Sequence, residues 1–222
     1  MVQLNFNQLW RYQDEFLHGV SLTLLLTLVA TVAGLAIGLV CASAAGSRFA
    51  AFRLLVRSYV EVIRNTPALI QLFLIFFVLP YAGLRLPPVY AAATALSIYM
   101  GAYATEIIRG GLASIPRSQI EAGQCLGLTR WQVFRHVILP PALRNIYPSI
   151  TSQIVLLLLG TSLASQVSAS ELFHAAAFVE SRTFRSFEVY AVVCAIYFTL
   201  VLAFRLAFAG IGRIAFRWPT GR

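Results

Sequence analysis

Five long apolar segments constrain the fold of this chain more than any other feature of its sequence. A bilayer core about 30 Å thick is crossed by roughly 20 apolar residues in a helix. Hydrophobic residues make up 59% of the chain and charged residues 11%, whereas a soluble domain has roughly 25% charged residues. We therefore predict an all-α integral membrane protein with five transmembrane helices, at about 20–42, 58–80, 87–108, 142–164 and 189–209.

The distribution of arginine predicts the orientation of these spans. The net charge of +9 comes from seventeen arginines, and the chain has no lysine. Twelve arginines fall in the connections 43–57 and 109–144 and in the C-terminal tail, if Arg205 is counted with the tail. The positive-inside rule makes these parts cytoplasmic. The expected layout is an extracytoplasmic N-terminal segment 1–19, a transmembrane domain 20–210 and a cytoplasmic tail 211–222.

The cytoplasmic connection 109–141 carries the signals of a helical hairpin. Ser114, Ile115 and Pro116 open a first helix, and Gly127 is its predicted C-cap. Thr129 is the predicted N-cap of a second helix. That helix is expected to stop at the pair 140–141, where two prolines follow each other.

The side chains of this hairpin allow two interpretations. Trp131, Phe134 and Ile138 share one helical face by their spacing. Gly123 and Gly127, four residues apart, leave a strip that another backbone can approach closely. The hairpin is then a docking element for a partner protein. A hairpin that only lies on lipid headgroups suits Trp131 and the arginines equally well.

The hairpin resembles the EAA loop of ABC-importer permeases, whose pattern is Glu-Ala-Ala, three residues, Gly, nine residues and Ile-x-Leu-Pro. Gly123 replaces the second Ala and Val137 replaces the Ile, and the spacing is kept throughout. In that family the loop is a coupling helix that docks into a groove on a cytoplasmic ATPase. The residues to which the resemblance gives an ATPase-coupling role are Glu121, Ala122, Gly123, Gly127, Trp131, Leu139 and Pro140.

A second resemblance narrows the family to its polar amino-acid branch, the histidine, glutamine, glutamate and arginine type. Segment 59–80 is similar to the start of the second span there, with Asn65 and Ala68 in place of the usual Gly and Leu. Segments 106–123 and 181–190 extend the match. The resemblance implies a MetI-like type I permease with an identical or paralogous permease partner and a cytoplasmic ATPase dimer that binds ATP and Mg. It also implies an extracytoplasmic solute-binding protein, for which segment 166–188 offers a short helix.

Ionisable groups inside the predicted spans require partners, because each costs roughly 2.5–3.5 kcal/mol in the bilayer. Glu61 and Arg64 are three residues apart and able to pair, and Pro67 is expected to kink the helix just after them. Arg64 has two open roles, which are a contact with substrate and a lock onto Glu61 or Glu106. Gln153 near mid-depth also needs a partner. The candidates for the substrate path are Glu61, Arg64, Asn65, Thr66, Pro67, Gln153 and Ser162.

A stripe of small residues in the first span predicts close helix packing. It fits either static packing within one subunit or a sliding or dimer interface. Its members are Ala30, Gly34, Gly38 and Ala42.

Several other classes of protein lack the residues they require. Cys41, Cys125 and Cys194 have no metal-binding spacing. The spans hold no nucleophile–base pair for a membrane enzyme, and a chain without lysine has no Walker A motif. We expect no catalytic site, no metal, no cofactor and no nucleic acid on this chain. A secondary transporter or a scaffold subunit without an ATPase stays as the alternative, although no inverted repeat is visible.

Overall fold

Helices make up all the regular structure of residues 5–216, the part of the chain that the computed structural model describes. The predicted all-α fold is therefore confirmed. The helices are α1 (Gln13–Ala45), α2 (Ala50–Arg64), α3 (Ala68–Phe73), α4 (Pro88–Ala113), α5 (Arg117–Cys125), α6 (Arg130–Gln132), α7 (Leu139–Gly160), α8 (Leu172–Thr183) and α9 (Ser186–Ala215). Segments of 3-10 helix lie at Asn7–Tyr12, Leu79–Ala82 and Thr161–Val167, and π-helical segments lie at Leu74–Val78 and Val133–Ile138.

Helix α4 lies at the centre of the bundle, and α1 is its main neighbour. Glycines let these two helices approach closely. A Cβ atom on Gly34 would lie 2.5 Å from the Cβ of Met100, and one on Gly38 would lie 2.5 Å from the Cβ of Ala104. The stripe of small residues on α1, which includes the fully buried Ala30, therefore packs inside this subunit. The stripe therefore lies at a contact within one subunit and not at a dimer interface.

Three continuous helical stretches are long and apolar enough to cross a bilayer, namely Asn7–Ala45, Arg130–Val167 and Ser186–Ala215. The bent pair of α2 and α3 adds a fourth. Helix α4, which coincides with the predicted span 87–108, is not among them. It is rich in buried alanine and glycine, residues that membrane proteins place between helices rather than against lipid. The arrangement of five spans stays a prediction.

The predicted kink at Pro67 is confirmed, and it is sharp. Helix α2 ends at Arg64 and α3 starts at Ala68, and the two are bent by 109°. Pro67 has no N–H, so the carbonyl of Ile63, four residues earlier, loses its helical partner. Segment 58–80 is thus two helices joined at an elbow rather than one continuous helix.

Side chains around the elbow donate hydrogen bonds to backbone carbonyls near the break. The side chains of Asn65 and Thr66 each donate to the carbonyl four residues earlier, both at 2.8 Å. The buried amide of Gln71 donates to the carbonyls of Ile63, at 2.8 Å, and Thr66, at 3.1 Å. A bilayer supplies no water to do this, so the elbow depends on these donors.

Pro140 does not end the second helix of the hairpin, contrary to the prediction. The chain stays helical from Arg130 to Val167. The π-helical segment Val133–Ile138 follows α6 directly and leads into α7, and the two prolines occupy the first turn of α7. A helix tolerates proline in that turn because those N–H groups have no intrahelical acceptor. The hairpin is therefore joined to α7 without a flexible connection.

A buried carboxylate fixes α8, the short helix predicted within 166–188, to α9. Glu171 accepts from the backbone N–H groups of Phe173, at 2.9 Å, and His174, at 2.8 Å. The hydroxyl of Tyr197 on α9 donates to the same carboxylate at 2.9 Å. Burial raises the pKa of Glu171 above its usual range, and the two backbone donors act in the opposite direction.

Replacing Gln71 with leucine tests the elbow. Leucine keeps the side chain buried and removes every donor, so the carbonyls of Ile63 and Thr66 lose a partner. The free energy of unfolding should fall by roughly 2 kcal/mol, the cost of unsatisfied buried polar groups. Thermal unfolding of the purified protein in detergent measures the effect, with the exposed Gln166→Leu as the matched control. Equal melting of both variants would contradict the role of Gln71.

Candidate functional site

The tip of the hairpin is built as its sequence predicts. Gly127 has φ of +78°, a left-handed conformation that glycine adopts without strain. Thr129 then caps α6, since its hydroxyl accepts from the backbone N–H of Gln132 at 3.3 Å. The Gln132 side chain accepts from the backbone N–H of Thr129 at 2.8 Å. This capping box fixes the angle at which the second helix leaves the turn.

The two glycines of the hairpin do not form the predicted open strip, because Gly123 is buried between the two helices of the hairpin. A Cβ atom at Gly123 would come within 3.3 Å of the methyl groups of Val133 and Val137. The glycine thus lets α5 lie against the π-helical segment. Only Gly127 faces open space, with no heavy atom near its hypothetical Cβ.

The outer face of the hairpin combines a free acidic group with exposed apolar side chains. Glu121 and Ala122 are exposed. Leu126 is 81% exposed, and Trp131 is 65% exposed while its ring stacks on Phe134. Exposed apolar side chains rimmed by polar groups are typical of protein docking surfaces. A groove of about 1050 Å³ separates the hairpin from the end of α9, and its lining includes Ala122, Gly123, Leu126, Leu139, Pro140 and Phe216.

A second site is a charged cavity of about 680 Å³ between α2 and α4. Arg64 on α2 lies 3.6 Å from Glu106 on α4, and Glu106 also binds Arg109 at 2.6 Å. Glu61 pairs with Arg57 at 2.8 Å instead of with Arg64. Of the two partners that the sequence left open for Arg64, Glu106 is the one observed, because Arg57 takes Glu61 from one turn earlier.

Two tyrosines connect this cavity to the interior of the bundle. The guanidinium of Arg64 lies 5.2 Å from the ring centroid of Tyr103. The rings of Tyr103 and Tyr99, one turn apart on α4, are 4.7 Å apart. Gln153 of α7 lies beside the Tyr99 hydroxyl. Gln153 is 6% exposed, and its Nε2 has no hydrogen-bond partner within residues 5–216. The donor that the sequence expected to need a partner is thus still available.

The remaining predicted path residues have other positions. Asn65, Thr66 and Pro67 form the elbow, and the side-chain donors of the first two are used on backbone carbonyls. Ser162 lies in the 3-10 segment after α7, where its hydroxyl donates to the Leu159 carbonyl at 2.8 Å. The structure therefore connects Arg64 to Gln153 and leaves Ser162 apart from them.

Three residues of the site were not predicted from the sequence. Gln71 stands four residues after Pro67, where a long polar side chain reaches back to the carbonyl that proline leaves free. Tyr99 and Tyr103 are four residues apart and so share a helix face. The four-residue spacing could have predicted the role of Gln71 and the shared face of the tyrosines. The sequence does not show that α2 and α7 meet at these tyrosines.

Helix α7 presents a polar stripe to the outside of the isolated chain. Asn145, Ser149 and Ser152 are exposed and follow the helical spacing i, i+4, i+7. Arg205 lines a groove beside this stripe. Arg205 was counted with the cytoplasmic tail, and α9 extends past it to Ala215, so its place relative to the bilayer stays a prediction. The last part of the predicted tail, 217–222, lies outside the described residues, and the arginine count still favours the same side.

No metal centre accompanies these sites. Within residues 5–216, no three His, Cys, Asp or Glu side chains come together in a way that could hold a metal ion. The three cysteines in this part of the chain are free thiols.

Comparisons with known proteins agree with the hairpin and the fold. Residues 34–213 match the model of the family described as the binding-protein-dependent transport system inner membrane component. The glutamine transport system permease protein GlnP of Escherichia coli is 36% identical over 92% of this chain and 95% of its own length. The L-cystine transport system permease protein TcyB of Bacillus subtilis is 38% identical over 74% of this chain and 70% of its own length.

Solved structures of ABC transporters have the same fold as this chain. A crystal structure of an amino acid ABC transporter with histidines superposes with a TM-score of 0.90 and 34% identity, over 96% of this chain and 99% of that one. An inward-facing structure of the MetNI methionine ABC transporter superposes with a TM-score of 0.76 at 23% identity, over 96% and 99%, and shares the fold. The chain belongs to the family of binding-protein-dependent inner membrane transport components, the MetI-like permease subunits of ABC transporters.

Proposed function

We propose that this chain is the permease subunit of an ATP-driven importer that moves a polar amino acid across a bacterial inner membrane. The observation that carries the proposal is the hairpin of residues 115–138. It combines an EAA-type sequence with an exposed acidic and apolar face, and it is joined directly to a long apolar helix. Such a surface suits a docking protein, and the EAA-type sequence favours this over a hairpin that only lies on lipid headgroups. A secondary transporter or a bare scaffold has no need of it.

The motor is a separate polypeptide in this proposal. Without lysine the chain has no Walker A motif, so ATP and Mg bind to a partner ATPase dimer. The arginine-rich connections support a cytoplasmic hairpin, with the N-terminus outside and the C-terminus inside. A solute-binding protein delivers the substrate from the outside, where α8 is held rigidly by Glu171.

The substrate path is completed by a second permease, identical or paralogous. The exposed polar stripe of α7 (Asn145, Ser149 and Ser152) supports this, because polar side chains in a membrane face protein or water rather than lipid. Closure of the ATPases draws the two hairpins together, and the rigid joint between hairpin and α7 transmits that movement to the stripe. Hydrolysis returns the pair to the inward-open state.

Arg64 and Glu106 act as a lock at the inner part of this path. The pair bridges α2 and α4 beside a polar cavity. An amino acid carries one carboxylate and one ammonium group, so the same pair complements a zwitterion passing through the cavity. The lock and the contact with substrate therefore belong to different states of one cycle.

Gly127→Leu tests the coupling role of the hairpin. The left-handed backbone at this position penalises leucine by about 1–2 kcal/mol, and the added side chain enters the open docking face. We expect normal amounts in the membrane but about tenfold slower ATP-driven amino-acid uptake into proteoliposomes. Gly110→Leu adds the same bulk in open space on α4 and serves as the control. Unchanged uptake in Gly127→Leu would argue against docking through this turn.

A double-mutant cycle separates the lock from two independent contacts. Arg64→Gln and Glu106→Gln should each slow uptake about fivefold, which corresponds to about 1 kcal/mol for a half-exposed ion pair. The double variant should be no slower than the worse single variant, because each change already removes the pair. Uptake that falls by the product of both factors would show that the two side chains act separately.

A further inference from the structure

Helix α9 carries one charge away from its ends. Its thirty residues are mostly apolar. The charged ones are Glu188 in the first turn, Arg213 in the last turn and Arg205 between them. Arg205 precedes the last residue, Ala215, by ten positions, which is roughly 15 Å and nearly three turns of helix. Insertion scales assign roughly 2.5–3.5 kcal/mol to an arginine at the centre of a span, and an arginine nearer the end of a span extends its guanidinium to the interface or into a wet groove.

A groove of about 300 Å³ between α7 and α9 receives Arg205. Tyr147 holds the two helices together at one end, where its hydroxyl donates to the Phe208 carbonyl at 2.6 Å. Gly212 leaves room for the Tyr147 ring, since a Cβ atom there would lie 2.9 Å from the ring. Thr151 and Ser152 bring hydroxyl groups to the groove. The groove opens on the polar stripe of α7.

Within residues 5–216, no side-chain carboxylate pairs with Arg205. All eight acidic residues lie in this part of the chain. Glu61 and Glu106 pair with arginines of α2 and α4, Glu188 pairs with Arg185, and Glu171 caps α8. The others lie near helix ends or in the hairpin, at Asp14, Glu15, Glu121 and Glu180. The described residues therefore leave the charge of Arg205 open to an anionic ligand.

We propose that Arg205 binds the carboxylate of the transported amino acid in the groove between α7 and α9, an inference that rests on the proposed function. A planar guanidinium matches a carboxylate with two parallel hydrogen bonds. The Ser152 hydroxyl has no hydrogen-bond partner within residues 5–216 and stands at the same groove. The groove also has apolar lining residues, among them Pro148, Val155 and Phe208, so the test below separates an amino-acid carboxylate from the phosphate of an anionic lipid.

Direct binding to the purified permease–ATPase complex tests this. The complex, in phosphatidylcholine nanodiscs and without a solute-binding protein, is titrated with L-glutamine and the other protein amino acids. The tightest ligand is then compared with its own α-amide, which lacks the carboxylate. Wild type should prefer the acid, and Arg205→Gln should weaken binding of the acid at least tenfold while leaving the amide unchanged. Arg205→Lys keeps the positive charge but loses the two parallel donors of the guanidinium. Its affinity for the acid should lie between those of wild type and Arg205→Gln.

Arg213→Gln is the matched control, because it removes the same charge at the end of α9. Thermal unfolding of each variant identifies any that fail to fold. If Arg205→Gln does not fold, the comparison is made between wild type and Arg205→Lys. Equal binding of the acid by wild type and Arg205→Gln overturns the inference. Dependence of ATPase activity on phosphatidylglycerol that disappears in Arg205→Gln, with amino-acid binding unchanged, overturns it in favour of a lipid phosphate. A wild-type complex that binds no amino acid contradicts the proposed function itself.

Discussion

The close contact of α1 with α4 is the constraint on which the rest of the structure depends. Gly34 and Gly38 bring the backbone of α1 against Met100 and Ala104, which leaves no room for even one added methyl group. Helices α2, α3 and α7 then pack on the other sides of α4. In a bilayer, where apolar surface gives no drive for association, such close packing is a main source of helix affinity. The central helix α4 consequently buries mostly small side chains and is less apolar than the helices that are apolar enough to cross a bilayer.

The second organising constraint is the need to satisfy backbone groups away from water. Pro67 breaks a helix inside the bundle and leaves the Ile63 carbonyl without its helical partner, and the Gln71 side chain donates to that carbonyl. The elbow turns α2 across α4, which brings Arg64 to Glu106 and Tyr103. The charged cavity is lined by residues of α2, α4 and the end of α1, and the elbow lies at its edge, at Asn65.

Much of this was predictable, and the failures have physical causes. Segment length and apolar content predict the helices, and the conformational demands of Gly127 and Thr129 predict the turn of the hairpin. The partner of Glu61 was not predictable, since Arg57 and Arg64 both lie within one turn and only tertiary contacts decide between them. Hydropathy also does not show where a helix ends, so the sequence did not predict that α9 continues to Ala215. Proline spacing predicted the kink but not the π-helical segment that carries the hairpin into α7.

That joint gives the hairpin its role, because a docking surface fused to a long helix moves the helix when its partner moves. The most direct test is purification of the tagged chain from native membranes in mild detergent, with identification of the proteins that accompany it. Wild type and the control Glu15→Lys should retain an ABC ATPase, and Glu121→Lys, on the exposed face of the hairpin, should lose it. A folded wild-type chain that retains no ATPase, or an ATPase retained equally by Glu121→Lys, would contradict coupling through this face.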